Sequence, residues 1–203
     1  MTFVRPSKIV GVGRNYRAHA EELGNPMPAQ PILFLKPPSA IIGEGDTIVL
    51  PAESGQVEFE AEIGLVAGAR LRNLSLEQAE HAPIGYVCVN DVTARDLQKV
   101  DGQWGRAKGF DTFCPVGTRI VDGLDWRTLE IVCRLNGVER QRARATDMAF
   151  SIPFLVSYIS RVMTLEPGDL IATGTPAGTA AMKSGDVVEV EIPGVGILKN
   201  PVK

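Results

Sequence analysis

Residues Val57-Glu58-Phe59-Glu60-Ala61-Glu62-Ile63-Gly64 set carboxylates at every second position, with apolar side chains between them. A period of two is the signature of a strand and puts Glu58, Glu60 and Glu62 on one face. Same-face neighbours along a strand stand only about 7 Å apart. Like charges lined up that closely repel one another unless water or a cation screens them. A solvated edge strand would satisfy the pattern; so would a metal site.

A second acid bears on that choice. Tyr86-Val87-Cys88-Val89-Asn90-Asp91 is an apolar run that ends in a carboxylate, followed by the helix-like Ala94-Arg95-Asp96-Leu97-Gln98. A buried strand that delivers an Asp at its end, beside a strand carrying Glu pairs, predicts an oxygen-rich site suited to Mg²⁺ or Mn²⁺.

The chain has 203 residues, a length that fits one large domain and can bury a real core. Its net charge is −3, with acids and bases interspersed. No basic run suggests nucleic acid or an anionic membrane as a partner. The stretch Met1-Thr2-Phe3-Val4-Arg5-Pro6 lacks a long apolar segment, and no uninterrupted apolar run approaches a membrane span. Cys88, Cys114 and Cys133 are scattered in apolar surroundings and read as reduced core thiols. A cytoplasmic protein is expected.

Outward from the acidic strand, Lys8 to Gly13 predicts a short strand running into a glycine turn. The Gly11-Val12-Gly13 pair is no dinucleotide fingerprint, because its third glycine would fall on Tyr16. Arg14 to Gly24 is rich in helix formers, stops at a glycine and carries little apolar surface, which predicts a weakly anchored, mobile helix. On it His19 and Glu22 sit one turn apart, on the same side. Pro31 to Pro38 predicts a buried strand that ends in Lys36, where a snorkelling lysine is the ordinary case.

Glycine-aspartate pairs open predicted strands at Thr47–Leu50, Leu170–Thr173 and Val187–Val190. Helices are expected from Leu76 to His81 and from Ile152 to Met163. Lys108 falls in a polar, glycine-rich loop before a predicted strand from Val116 to Val121. The turn Thr173-Gly174-Thr175-Pro176-Ala177-Gly178 offers two hydroxyls and close-approach glycines. Together these elements predict a β-rich α+β fold. A serine hydrolase is not expected, since no Gly-x-Ser-x-Gly elbow occurs and the chain has only two histidines.

Several of these stretches, in this order, resemble the fumarylacetoacetate hydrolase (FAH) superfamily over nearly the full length. They are Gly13-Arg14-Asn15-Tyr16 with His19, Leu33-Phe34-Leu35-Lys36-Pro37, Glu60-Ala61-Glu62-Ile63-Gly64, and Asn90-Asp91-Val92-Thr93-Ala94-Arg95-Asp96. Ala107-Lys108-Gly109-Phe110-Asp111, Thr173-Gly174-Thr175-Pro176 and the closing Ile192-Pro193-Gly194-Val195-Gly196 complete the set. The resemblance implies a mixed β-sandwich roll of the FAH C-terminal-domain type. It implies one catalytic domain over residues 1–203, with about 1–45 an N-terminal part bearing a lid helix near 14–24, and a homodimer.

It further implies one Mg²⁺ or Mn²⁺ per site on Glu60, Glu62 and Asp91, with Glu58 outside that set. By the same resemblance His19 and Glu22 form an acid/base pair and Lys108 is catalytic. Arg14, Tyr16, Lys36, Gln98 and Thr175, with Arg95 beside them, contact substrate. The implied substrates are small 2-oxo acids, with C–C hydrolysis of acylpyruvates or decarboxylation of oxaloacetate-like diacids through a metal-stabilised enolate. Two alternatives stand: an isomerase or decarboxylase of aromatic catabolism acting on 2-hydroxyhepta-2,4-diene-1,7-dioate or 5-oxopent-3-ene-1,2,5-tricarboxylate, and a non-catalytic metal or small-ligand binder.

Overall fold

The computed structural model describes residues 5–203. In chain order the strands and helices begin with β1 (Ile9–Gly13), α1 (Arg17–Glu22), β2 (Ile32–Lys36), β3 (Ile41–Ile42), β4 (Val57–Glu58) and β5 (Ala61–Ala67). Then come α2 (Leu76–Glu80), β6 (Ile84–Asn90), β7 (Thr93–Ala94), α3 (Arg95–Asp101), α4 (Gly105–Gly109) and β8 (Cys114–Pro115). The chain continues through β9 (Glu130–Leu135), β10 (Val138–Arg144), α5 (Ile152–Val162), β11 (Leu170–Ala172), β12 (Val187–Ile192) and β13 (Gly196–Pro201).

Two sheets make the body. The five-stranded one runs β2-β1-β11-β5-β6, with β1 and β11 parallel and the other neighbours antiparallel. The four-stranded one, β10-β9-β12-β13, is antiparallel throughout. Strands β5 and β6 pack against β9, β12 and β13, so the inner faces of both sheets share one apolar core that includes Phe59, Ile63, Ile131, Val190 and Leu198. This is the two-layer solution expected for sheets with one apolar face each. Helix α5, with Ile152, Leu155, Val156 and Ile159 buried, lies against α2.

The acidic stretch departs from a simple strand. Pairing breaks at Phe59–Glu60, so Val57–Glu58 pairs with β7 while Ala61–Ala67 lies between β11 and β6. All of β5 is buried, and Glu58, Glu60 and Glu62 are 7%, 4% and 1% exposed. The solvated-edge reading therefore fails, because a central strand covered on both faces keeps carboxylates only where partners meet them.

Other expectations shift at their edges. Thr47–Leu50 forms only a bridge from Ile48 to Val202, and Val116–Val121 contributes isolated bridges at its two ends. Lys108 sits on the short helix α4, not in a loop. The helix expected over 14–24 is confined to Arg17–Glu22, since Arg14 takes φ +57° and Gly24 φ +66°. It is docked, with Tyr16, His19 and Ala20 buried at its N-terminal side. Among the described residues no helix is long and apolar enough to cross a membrane. The three cysteines are unpaired and buried.

Candidate metal centre and active site

The register between β5 and β6 builds the acidic cluster. Ala61 stands opposite Asn90, so one step outward Glu60 meets Asp91, whose N–H donates to the Glu60 carbonyl at 2.8 Å. The Asn90 side chain accepts from the Glu60 N–H at 2.9 Å and pins the junction. One carboxylate oxygen from each of Glu60, Glu62 and Asp91 then lies within 4.8 Å of the other two. The separate reading of an acidic strand and an apolar strand ending in Asp thus meets at one point in space.

Cations close around two of these acids. Lys108 Nζ donates to Glu60 Oε2 at 2.7 Å and also to Asp91. Lys36 Nζ donates to the other oxygen of Asp91 at 2.5 Å and to the Val92 carbonyl at 3.2 Å. Arg95 spans Glu58 Oε2 at 2.9 Å, Glu60 Oε1 at 2.5 Å and Gln98 Oε1 at 2.6 Å. Glu58 also accepts from Gln56 at 2.7 Å.

Glu62 is different. Among the described residues it has no cation partner; the Gly174 N–H donates to it at 2.7 Å. Burial, then the charges of Asp91 and Glu60, push its carboxyl well above the usual range. Burial also opposes ionisation of Glu60, but Lys108 and Arg95 outweigh it and hold that carboxyl below the usual range. For Lys108 burial favours the neutral amine, whereas Asp91 and Glu60 prevail and raise its pKa.

Two members of the cluster, Glu60 and Glu62, form the floor of a cavity of about 1320 Å³, with Asp91 fully buried behind them. Glu60, Glu62, Lys108 and Thr175 line it, as do Arg95 and Gln98. His19 and Glu22 from α1 form part of the wall, with His19 Nδ1 3.2 Å from Glu22 Oε2. Arg14 stands on the same wall in its left-handed conformation, with Trp104 and Phe34 supplying apolar surface. The two rings pack edge-to-face at 5.3 Å, and Lys108 Nζ lies 4.9 Å from the Phe34 centroid.

Lys36 and Tyr16, expected from the resemblance to contact substrate, lie one layer behind the cavity lining. Lys36 is 1% exposed and occupied by Asp91. It does not snorkel, because a buried carboxylate waits at the end of its stem. Tyr16 is 2% exposed, and its hydroxyl has no partner among the described residues. Burial, then the charges of Glu62 and Asp147, push that phenol upward.

Gln141 joins the site without having been expected from the sequence. It is 1% exposed, accepts from the Ala61 N–H at 3.1 Å, and donates to Thr175 Oγ1 at 2.8 Å and the Pro176 carbonyl at 2.6 Å. The only signal would have been one neutral side chain in the charged run Glu139-Arg140-Gln141-Arg142.

Residues 8–203 match the family described as fumarylacetoacetate (FAA) hydrolase C-terminal. A mitochondrial oxaloacetate decarboxylase of Dictyostelium discoideum is 41% identical over 93% of this chain and 89% of its own length. The crystal structure of 2-hydroxyhepta-2,4-diene-1,7-dioate isomerase from Mycobacterium marinum is similar at a TM-score of 0.90 and 47% identity, over 98% of this chain and 75% of that one. Fumarylpyruvate hydrolase from Pseudomonas aeruginosa, solved with Mn²⁺ and pyruvate, gives a TM-score of 0.90 at 33% identity, over 97% and 89% of the two chains. With the family match spanning nearly the whole length and these structures similar over nearly all of it, the chain belongs to the fumarylacetoacetate hydrolase family.

Proposed function

We propose that this chain is a divalent-metal-dependent enzyme acting on small 2-oxo acids, by C–C hydrolysis of acylpyruvates, decarboxylation of oxaloacetate-like diacids, or both. The observation that carries the reading is the meeting of Glu60, Glu62 and Asp91 within 4.8 Å, the two glutamates lining a cavity that His19 and Glu22 also line. The donor set is all carboxylate oxygen, which suits Mg²⁺ or Mn²⁺. Glu62, left without a cation, marks where positive charge is missing. When bound, the ion supplies Lewis acidity toward the oxygens of a 2-oxo acid.

The protein's own groups do the rest. His19, with Nδ1 facing Glu22, has Nε2 to take a proton from water and return it to the leaving carbon. Lys108 adds fixed positive charge at the cavity floor, where negative charge develops on the reacting oxygens. Arg14, Arg95 and Gln98 offer N–H donors for a substrate carboxylate. The Thr175 hydroxyl donates to the Ala61 carbonyl at 2.9 Å, so its part is to hold the wall. Lys36 orients Asp91 from behind.

Decarboxylation of a diacid needs no activated water, so one constellation serves both reactions and His19 separates them. An isomerase reading uses the same groups to move a proton between carbons; the 47% identity to a structure named as such an isomerase favours keeping it. Incubation with oxaloacetate, acetylpyruvate and a hydroxymuconate-type diacid, with and without Mg²⁺ or Mn²⁺, tests the proposal by absorbance. Metal-stimulated loss of at least one is expected, and turnover that persists in a chelator would overturn the metal assignment. His19→Ala is expected to lower acylpyruvate hydrolysis by about two to four orders of magnitude while oxaloacetate decarboxylation falls far less.

A further inference from the structure

We infer that the bulged strand β10 is the seat that holds the His19–Glu22 pair against the carboxylate cluster, with Gly178 and Gln141 as its positioning residues. The inference rests on the reading above that His19 and Glu22 do acid/base work. It assigns how that pair is held in place.

Strand β10 pairs with β9 as Glu139 with Arg134 and then Gln141 with Cys133, so Arg140 is an extra residue. Such a bulge re-aims the side chains beside it. Here it turns Gln141 inward between exposed Arg140 and Arg142. From that position Gln141 grips three backbone or side-chain partners in the site. Its Oε1 takes the N–H of Ala61, the residue between Glu60 and Glu62, while its amide donates to Thr175 Oγ1 and the Pro176 carbonyl. Thr175 in turn donates to the Ala61 carbonyl. Both backbone groups of Ala61 are therefore fixed from this bracket.

The same turn reaches α1. The Gly178 N–H points at the Glu22 carboxylate, 3.0 Å from Oε1 and 3.2 Å from Oε2. Gly178 takes φ +102°, and a Cβ there would stand 1.9 Å from the Arg140 carbonyl oxygen. Only glycine lets the turn lie this close on the bulge. Helix α1 has six residues and no side-chain N-cap, too short to hold itself. Its position depends on docking, and Glu22 is the side chain that ties its last turn to the seat.

The test pairs variants of the bracket with a control for backbone strain. Gly178→Ala drives a methyl into Arg140, and Gln141→Met keeps the length of the side chain but loses all three hydrogen bonds. Gly185→Ala is the control, because Gly185 takes φ +91° with nothing within 4 Å of its Cβ direction. In metal-free protein, amides of residues 17–22 are expected to exchange about tenfold faster or more in both bracket variants, and at the wild-type rate in Gly185→Ala. Acetylpyruvate hydrolysis is expected to fall about 10²-fold, the cost of about 1 Å of misplacement, with oxaloacetate decarboxylation changed far less.

Exchange in 17–22 that matches the control overturns the seat. If Gly178→Ala does not fold, Gln141→Met carries both measurements. Loss of hydrolysis in Glu22→Gln alongside wild-type hydrolysis in the bracket variants overturns the seat and leaves the proposed function standing. The faster exchange without any wild-type turnover of either substrate does the reverse.

Discussion

The outer face of the four-stranded sheet and the floor of the cavity are built from the same residue types and behave in opposite ways. On the outer face Arg142 pairs with Glu130 and Glu139, Arg134 with Glu191, and Lys199 with Glu189, all with substantial solvent contact. Water competes for each of these charges, so each pair adds little. At and behind the cavity floor four carboxylates, Glu58, Glu60, Glu62 and Asp91, face Arg95, Lys36 and Lys108 with almost no water. There every charge depends on its neighbours, and removing one leaves another stranded. The difference is one of exposure: the outer pairs are screened by water, whereas the buried group carries one acid without a cation partner among the described residues, where a metal ion could sit.

The buried network is most sensitive at Lys108, which bonds both Glu60 and Asp91. Lys108→Met leaves Glu60 with Arg95 alone and Asp91 with Lys36 alone, and is expected to cost about 3–5 kcal/mol in denaturant unfolding of the metal-free protein, with Mn²⁺ restoring part of the loss. An unfolding midpoint equal to wild type would mean that the buried network is not what it looks like.

Glu62→Gln is expected to act the other way. It relieves repulsion from Asp91 and Glu60 while a side-chain oxygen still accepts from Gly174, so the metal-free midpoint should rise by about 2–4 °C. The pH dependence has a definite sign. Because the folded pKa of Glu62 is raised, the folded state holds its proton longer than the unfolded state does. Stability of the metal-free protein attributable to Glu62 is therefore full below the unfolded carboxyl range and is lost as pH climbs toward the raised value. Mn²⁺ needs the ionised acid, so its affinity should weaken as pH is lowered, with proton release seen when calorimetry is repeated in buffers of different ionisation enthalpy. Affinity independent of pH would remove Glu62 from the ligand set. The smallest effect belongs to the outer face, where Arg142→Ala should leave the midpoint within experimental scatter; a clear drop would show that those pairs matter after all.

Much of this contrast could be read from residue order. Alternation in 57–64 and the apolar run to Asp91 named four acids, Glu58, Glu60, Glu62 and Asp91, and both of their strands, because hydrophobic period is a local property. Local reading also found α5 and β12 to within a residue or two. It failed where long-range pairing decides. Thr47–Leu50 has the composition of a strand yet finds only one bridging partner. Lys36 ends an apolar run as a snorkelling lysine would, and nothing nearby in sequence reveals that Asp91 meets it. Gln141 sits among charged neighbours and is buried only because an extra residue in β10 rotates it inward.

The strand order of the five-stranded sheet has a consequence for how the chain matures. Strand β11, at residues 170–172, slots between β1 at 9–13 and β5 at 61–67. The first and second of these segments in the chain therefore wait without their shared neighbour until most of the polypeptide has left the ribosome. Closing such distant pairs is slow, and the waiting edges are sticky in the interval. Gly174, whose N–H donates to Glu62, lies two residues after β11, so the acidic cluster is completed in the same late step that zips the sheet shut.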